Sequence, residues 1–175
     1  MAISPAAVKE LRERTGAGML DCKQALEEAN GDLQRAQNIL KERGFARAIK
    51  KAERQTAQGL VQAYIHHDGR YGALIEVNCE TDFVARTEEF RQLALDIAMQ
   101  VAAMDPRYIS RADMPPGEDA DPKEVCLMEQ GFIKDSGVTI DDLIKGVVTK
   151  TGENVRVSRF VRFKLGEGTE SAEAE

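Results

Sequence analysis

The spacing of apolar residues changes from a helical period to a strand period near residue 60. Before that point three short helices are expected. Ser4 caps the first, Pro5 takes its first helical position, where a missing N–H costs nothing, and Ala7, Val8 and Leu11 form its apolar face. Thr15-Gly16-Ala17-Gly18 breaks it. Met19, Cys22, Ala25, Leu26 and Ala29 then share one face of a second helix, which Asn30-Gly31 stops. Asp32 caps a third, with Leu33, Ala36, Ile39 and Leu40 inward and Gly44 expected as the residue just past its end. Phe45, Ala48, Ile49 and Ala52 continue a helical pattern, read as a helical connector.

From Leu60 the period is two. Val61, Ala63 and Ile65 alternate with Gln62, Tyr64 and His66, and a second run covers Tyr71–Val77. Asp68-Gly69 between them predicts a hairpin with a type I′ turn. Thr87 caps a long amphipathic helix over about 88–104, built on Phe90, Leu93, Ala94, Ile97, Ala98, Val101 and Ala102. A proline-rich, acidic connector covers 105–123. Thr139 caps another helix, with Asp142 placed for a capping box and Leu143, Ile144, Val147 and Val148 on its face. Thr151–Asn154 turns the chain into a last strand. Strict alternation there places Val155, Val157, Arg159, Val161, Phe163 and Leu165 on one side, with Arg156, Ser158, Phe160, Arg162 and Lys164 on the other.

These elements predict an α+β fold: three helices, a helical linker, then a small antiparallel sheet with helices on one face. A three-stranded sheet has open edges, which favours a partner chain.

Composition narrows the function. The 175 residues include 42% hydrophobic residues, enough for one ordinary domain or a small and a medium one. No apolar run reaches membrane-spanning length, and Met-Ala-Ile-Ser-Pro is not a secretory leader, so a cytoplasmic setting is expected. The net charge of −6 argues against direct nucleic-acid binding. A local exception is Lys41, Arg43, Arg47, Lys50, Lys51 and Arg54, which stand against only Glu42 and Glu53 and are read as a solvated helix face. Residues 166–175 are acidic and rich in small residues, and are expected to be disordered.

Candidate chemistry is sparse. Cys22, Cys79 and Cys126 are odd in number and widely spaced, as expected of buried small hydrophobes in a reducing compartment. His66 and His67 are neighbours on a strand, so their side chains point apart and cannot share a metal. Glu80, Asp82, Glu88 and Glu89 are clustered, but acids are favoured at a helix N-terminus in any case. No phosphate-binding glycine motif is present. A hydrolase built on Asp82 and its acidic neighbours is therefore disfavoured, and no metal or cofactor is expected. The anomaly is Thr81-Asp82-Phe83-Val84, a bulky apolar pair at a strand-to-helix corner, where turns are ordinarily polar. Phe83 either folds back into its own core or enters a partner's pocket.

Residues 8–26, Val8-Lys9-Glu10-Leu11-Arg12-Glu13-Arg14-Thr15-Gly16-Ala17-Gly18-Met19-Leu20-Asp21-Cys22-Lys23-Gln24-Ala25-Leu26, closely resemble the N-terminal signature of the bacterial translation elongation factor Ts family. Glu76–Arg86 resembles its second signature, and Phe132–Asp135 and Arg159–Gly168 resemble its C-terminal stretches. The resemblance implies a guanine nucleotide exchange factor for elongation factor Tu, itself without catalytic residues. It implies a ubiquitin-associated-like domain at 1–44, a helical linker at 45–57, a core and dimerisation domain at 58–165, and a tail at 166–175. By match of position, Arg12, Met19, Leu20 and Lys23 of the N-terminal module would contact the partner. Thr81, Asp82, Phe83 and Val84 would enter it near its Mg²⁺ and phosphate site, with Phe83 as a wedge that promotes GDP release. Position 24 is Gln where many members carry Lys. The chain resembles the short members, which implies a homodimer and a two-to-two complex with elongation factor Tu. A ubiquitin-associated-like binding module without exchange activity is the alternative that residues 1–44 alone would allow.

Overall fold

The computed structural model describes residues 3–167. The expected disordered tail falls, from residue 168 onward, outside the described residues. Helix α1 (Pro5–Thr15) starts where Ser4 Oγ accepts the Ala7 N–H and ends at Gly16, in a left-handed conformation at φ 68°. Helix α2 (Met19–Glu28) follows. Helix α3 (Leu33–Lys51) is capped by Asp32, which accepts the Arg35 N–H. Val8, Leu11, Cys22, Ala25, Leu26, Ala29, Ala36 and Leu40 close a first hydrophobic cluster among these helices.

Gly44 does not end the third helix, as its sequence setting predicts. It lies inside α3, which runs on through the expected connector as one rod to Lys51. Gly44 is needed because α3 crosses a later helix there at close range, a long-range fact that a local end signal cannot reveal. The rod belongs to both halves of the chain: Ala36 and Leu40 pack in the first cluster, Ala48 in the second.

The second cluster lies between a sheet and its helices. Strands β1 (Gln58–Ile65), β2 (Tyr71–Cys79) and β5 (Val155–Lys164) form an antiparallel sheet in the order β1-β2-β5. The hairpin turn differs from type I′. Of Asp68 and Gly69, only Gly69 has a positive φ, at 68°, and Asp68 instead accepts the Arg70 N–H through its side chain. One-turn α4 (Asp82–Ala85) and long α5 (Glu88–Met104) follow β2, and α5 lies across one face of the sheet. The connector holds a short 3-10 turn at Arg111–Asp113 and α6 (Pro122–Val125). A small hairpin, β3 (Gly131–Phe132) with β4 (Asp135–Thr139), leads into α7 (Ile140–Thr151). The Thr139–Asp142 capping box is present. Buried Gln100 on α5 holds this region: its amide donates to Gln130 Oε1 and the Gly131 carbonyl, and its oxygen accepts the Ile133 N–H.

Ala73, Ile75, Val77 and Cys79 of β2 face the helices, joined by Leu60 and Tyr64 of β1. Val61, Ala63 and Ile65 point to the opposite, bare face. Alternation along β5 fails midway. Glu76 pairs with Arg159 while Val77 pairs with Val157, so Ser158 is an inserted residue, a β-bulge. Ser158 and Arg159 consequently face the same way, donating to Asn78 and Glu76 on the bare side. Before the bulge Val155 and Val157 are buried; after it Phe160 and Arg162 turn toward the helices, and Val161 and Phe163 toward solvent. The bare face thereby carries Val61, Ile65, Leu74, Val161 and Phe163, all exposed.

Candidate functional site

Strand β2 ends at Cys79 beneath the corner. Cys79 is buried, its thiol donates to the Thr81 carbonyl at 3.1 Å, and burial, aided by the nearby Glu153 charge, pushes its pKa up to about 11. A thiol so protonated at neutral pH is a packing group rather than a nucleophile. Cys22 and Cys126 are buried too, and burial raises both.

Thr81 has extended backbone and caps α4, accepting the Val84 N–H at 3.4 Å. The four residues of α4 then divide by depth. Phe83 is 79% exposed, whereas Val84 and Ala85 are buried in the core below. Val84 therefore anchors the corner and is not presented on it. The Thr87 hydroxyl donates to the Val84 carbonyl at 2.8 Å and closes the turn from the other end. Asp82 is half-buried and pairs with Arg86 at 2.8 Å. The corner thus displays one large apolar side chain beside a carboxylate. An aromatic ring this exposed gains little from its own fold, since burial of such a ring is worth roughly 1.5–3 kcal/mol.

Arg12, Met19, Leu20 and Lys23 lie exposed on α1 and α2. The helical period predicts Met19 on the buried face with Cys22. Instead, as the first residue of its helix, it is 51% exposed beside Leu20 at 68%. Two adjacent exposed aliphatic side chains make a second apolar point. Lys23 lies 3.9 Å from Glu27 on the same helix.

The basic stretch of α3 is largely committed to internal pairs. Arg47 makes a bidentate pair with Asp21 at 3.0 and 3.1 Å, whose carboxyl it holds below the usual carboxylate range. Arg43 pairs with Glu28, and Lys51 donates to the Gly152 carbonyl at 2.6 Å. Sequence reasoning places the turn at 151–154 that receives Lys51 but misses what the turn holds. Glu153 accepts both the Thr81 N–H and its hydroxyl, and Asn154 reaches the end of α3. These partners are remote in sequence, and no local pattern signals them. Among the described residues no cluster of His, Cys, Asp and Glu could hold a metal, and no helix is long and apolar enough to cross a membrane.

The family model described as Elongation factor TS matches residues 12–119. Curated relatives are similar over nearly their whole length. Elongation factor Ts of Carboxydothermus hydrogenoformans is 50% identical over 191 aligned positions, covering 92% of this chain and 88% of that protein. Elongation factor Ts of Fervidobacterium nodosum is 47% identical, covering 95% of this chain and all (100%) of the relative. The Thermotoga maritima protein of the same name is 48% identical, with 97% and 100% covered.

Proposed function

This chain belongs to the elongation factor Ts family, which acts in translation elongation, and from that premise we propose that it is a guanine nucleotide exchange factor for elongation factor Tu. It binds the GDP form of that partner and drives no bond chemistry of its own. The observation that carries the reading is Phe83, held almost fully in solvent on a one-turn helix whose next two residues are buried. A ring on so supported a corner is a wedge: it enters the partner near the Mg²⁺ and phosphate site, with Asp82 beside it, and disturbs both.

The mechanism is thermodynamic linkage. A protein that prefers nucleotide-free partner over its GDP form must weaken GDP binding by the same factor. Each tenfold in release rate needs about 1.4 kcal/mol off the barrier. Burying Phe83 supplies roughly 1.5–3 kcal/mol, or one to two orders of magnitude. The remainder comes from a second contact made by Arg12, Met19, Leu20 and Lys23. Residues 1–44 act as an anchoring module, 45–57 as the linker and 58–165 as the core, in the cytoplasm. The bare apolar face of the sheet supports a homodimer, and with it a two-to-two complex.

Release of a fluorescent GDP analogue from elongation factor Tu tests the reading. Strong acceleration is expected with the intact chain and its near-complete loss with Phe83→Ala. Undiminished exchange by that variant would overturn the wedge.

A further inference from the structure

The turn between α7 and β5 lies between the wedge and the linker and holds both. On the linker side, Asn154 Nδ2 donates to the carbonyls of Ala52 at 3.1 Å and Arg54 at 2.8 Å. On the corner side, the Asn154 N–H donates to Glu80 Oε1 at 2.6 Å, which also faces Arg54 at 3.4 Å. Glu153 takes both donors of Thr81: the N–H reaches Oε2 at 3.0 Å and the hydroxyl reaches Oε1 at 2.6 Å. Thr81 is 72 residues away in sequence.

We propose that Glu153 is a positioning residue for the Phe83 wedge, acting through Thr81. This rests on the exchange-factor reading above. A hydroxyl has one hydrogen. With that hydrogen given to Glu153, the Thr81 oxygen turns its lone pairs to the Val84 N–H and caps α4. One isolated helical turn does not sustain itself, because nucleation is unfavourable. Phe83 contributes little to its own placement, being exposed. Its direction is therefore set from the two flanks, by Val84 and Ala85 below and by Thr81 at the start. A carboxylate suits the second task, since it accepts twice and its charge strengthens both bonds. Glu153 thereby holds the ring in its extended pose before any partner arrives, which removes an ordering cost from the step in which the ring is driven in and GDP leaves, after the N-terminal contact has formed.

Glu153→Gln tests this, because the amide keeps the shape but replaces one acceptor oxygen with a donor. GDP-analogue release from elongation factor Tu is followed against exchange-factor concentration, with wild type and Phe83→Ala in parallel. The saturating rate should fall about tenfold while the half-saturating concentration stays within about twofold, because the N-terminal contact is untouched. Thr81→Val probes the same bond from the other side. The double variant should be no worse than the worse single, as for residues acting through one bond. Hydrogen exchange at the Val84 amide should be faster in both singles, with thermal unfolding of the whole chain little changed. A saturating rate equal to wild type in Glu153→Gln, or fully additive losses in the double variant, overturns the positioning role alone. A wild-type chain that fails to accelerate release overturns the exchange reading, and the positioning role with it.

Discussion

Gly44 on α3 and Thr149 on α7 meet so closely that a Cβ on Gly44 would lie 2.6 Å from both Cγ2 and Oγ1 of Thr149. Rotation about χ1 gives no relief, because both branches of the threonine crowd the same point. Its hydroxyl also donates to the Lys145 carbonyl at 2.8 Å. Alanine in place of a mid-helix glycine ordinarily gains about 1 kcal/mol. Overpacking costs roughly 1–3 kcal/mol and wins here. Gly44→Ala should therefore lower stability by about 1–2 kcal/mol in urea unfolding. Adding Thr149→Ala should recover most of the loss, and a stable single variant would show that α3 and α7 are not in fixed contact.

Phe83 and Phe90 should behave oppositely. Phe90 is fully buried in the main core, and Phe90→Ala should cost about 3–5 kcal/mol of folding stability. Phe83→Ala, at an exposed site, should leave stability within about 0.5 kcal/mol. Denaturant unfolding of the two variants checks this, and a large stability loss from Phe83→Ala would assign the ring to its own core.

The helices, their caps and the strand-to-helix corner were legible because each is signalled by neighbours in the chain. Ser4, Asp32, Thr87 and Thr139 all cap the helices that their sequence settings predict. The corner was legible as an apolar anomaly, though not its division into exposed Phe83 and buried Val84. What escaped depends on distant partners. Gly44 looks like a helix end until Thr149 is placed against it. Ser158 looks like one more alternating residue until Glu76 and Val77 set the register. Glu153 looks like a turn residue until Thr81 comes within 2.6 Å. Met19 fits the buried period of α2 but starts the helix, where neighbours cover only one side of it.

On the bare sheet face, Phe163 is 68% exposed opposite Gly72 and near Leu74 and Ile65. If a second copy covers this face, Phe163→Glu buries a charge against apolar groups and should convert the dimer to a monomer. Light scattering at micromolar concentration reads this. A wild-type monomer mass would remove the dimer from the proposal.

The Asp21–Arg47 pair ties α2 to α3 and makes a prediction in acid. Arg47 lowers the Asp21 pKa in the folded chain, chiefly by hydrogen bonding. A depressed carboxylate stabilises above its unfolded pKa, and that contribution disappears as pH falls through the lower, folded value. Arg47 is more than half exposed, so solvent screening limits the effect to below about 1 kcal/mol. Asp21→Asn should be slightly less stable than wild type at neutral pH and equal to it well below about pH 4. Urea midpoints across that range measure it.

The inserted Ser158 gives β5 two unlike halves, because parity along a strand decides which side a residue occupies and the bulge resets parity once. Val155 and Val157 answer to the inside of their own molecule; Val161 and Phe163 answer to whatever lies outside it. Substitutions at 161 and 163 therefore leave the interior untouched, whereas those at Phe160 and Arg162 do not, and loss of residue 158 would restore plain alternation with the later residues on their present sides. The extra residue thus adds one side chain to the outer face, Ser158 beside Arg159, without moving any inner one.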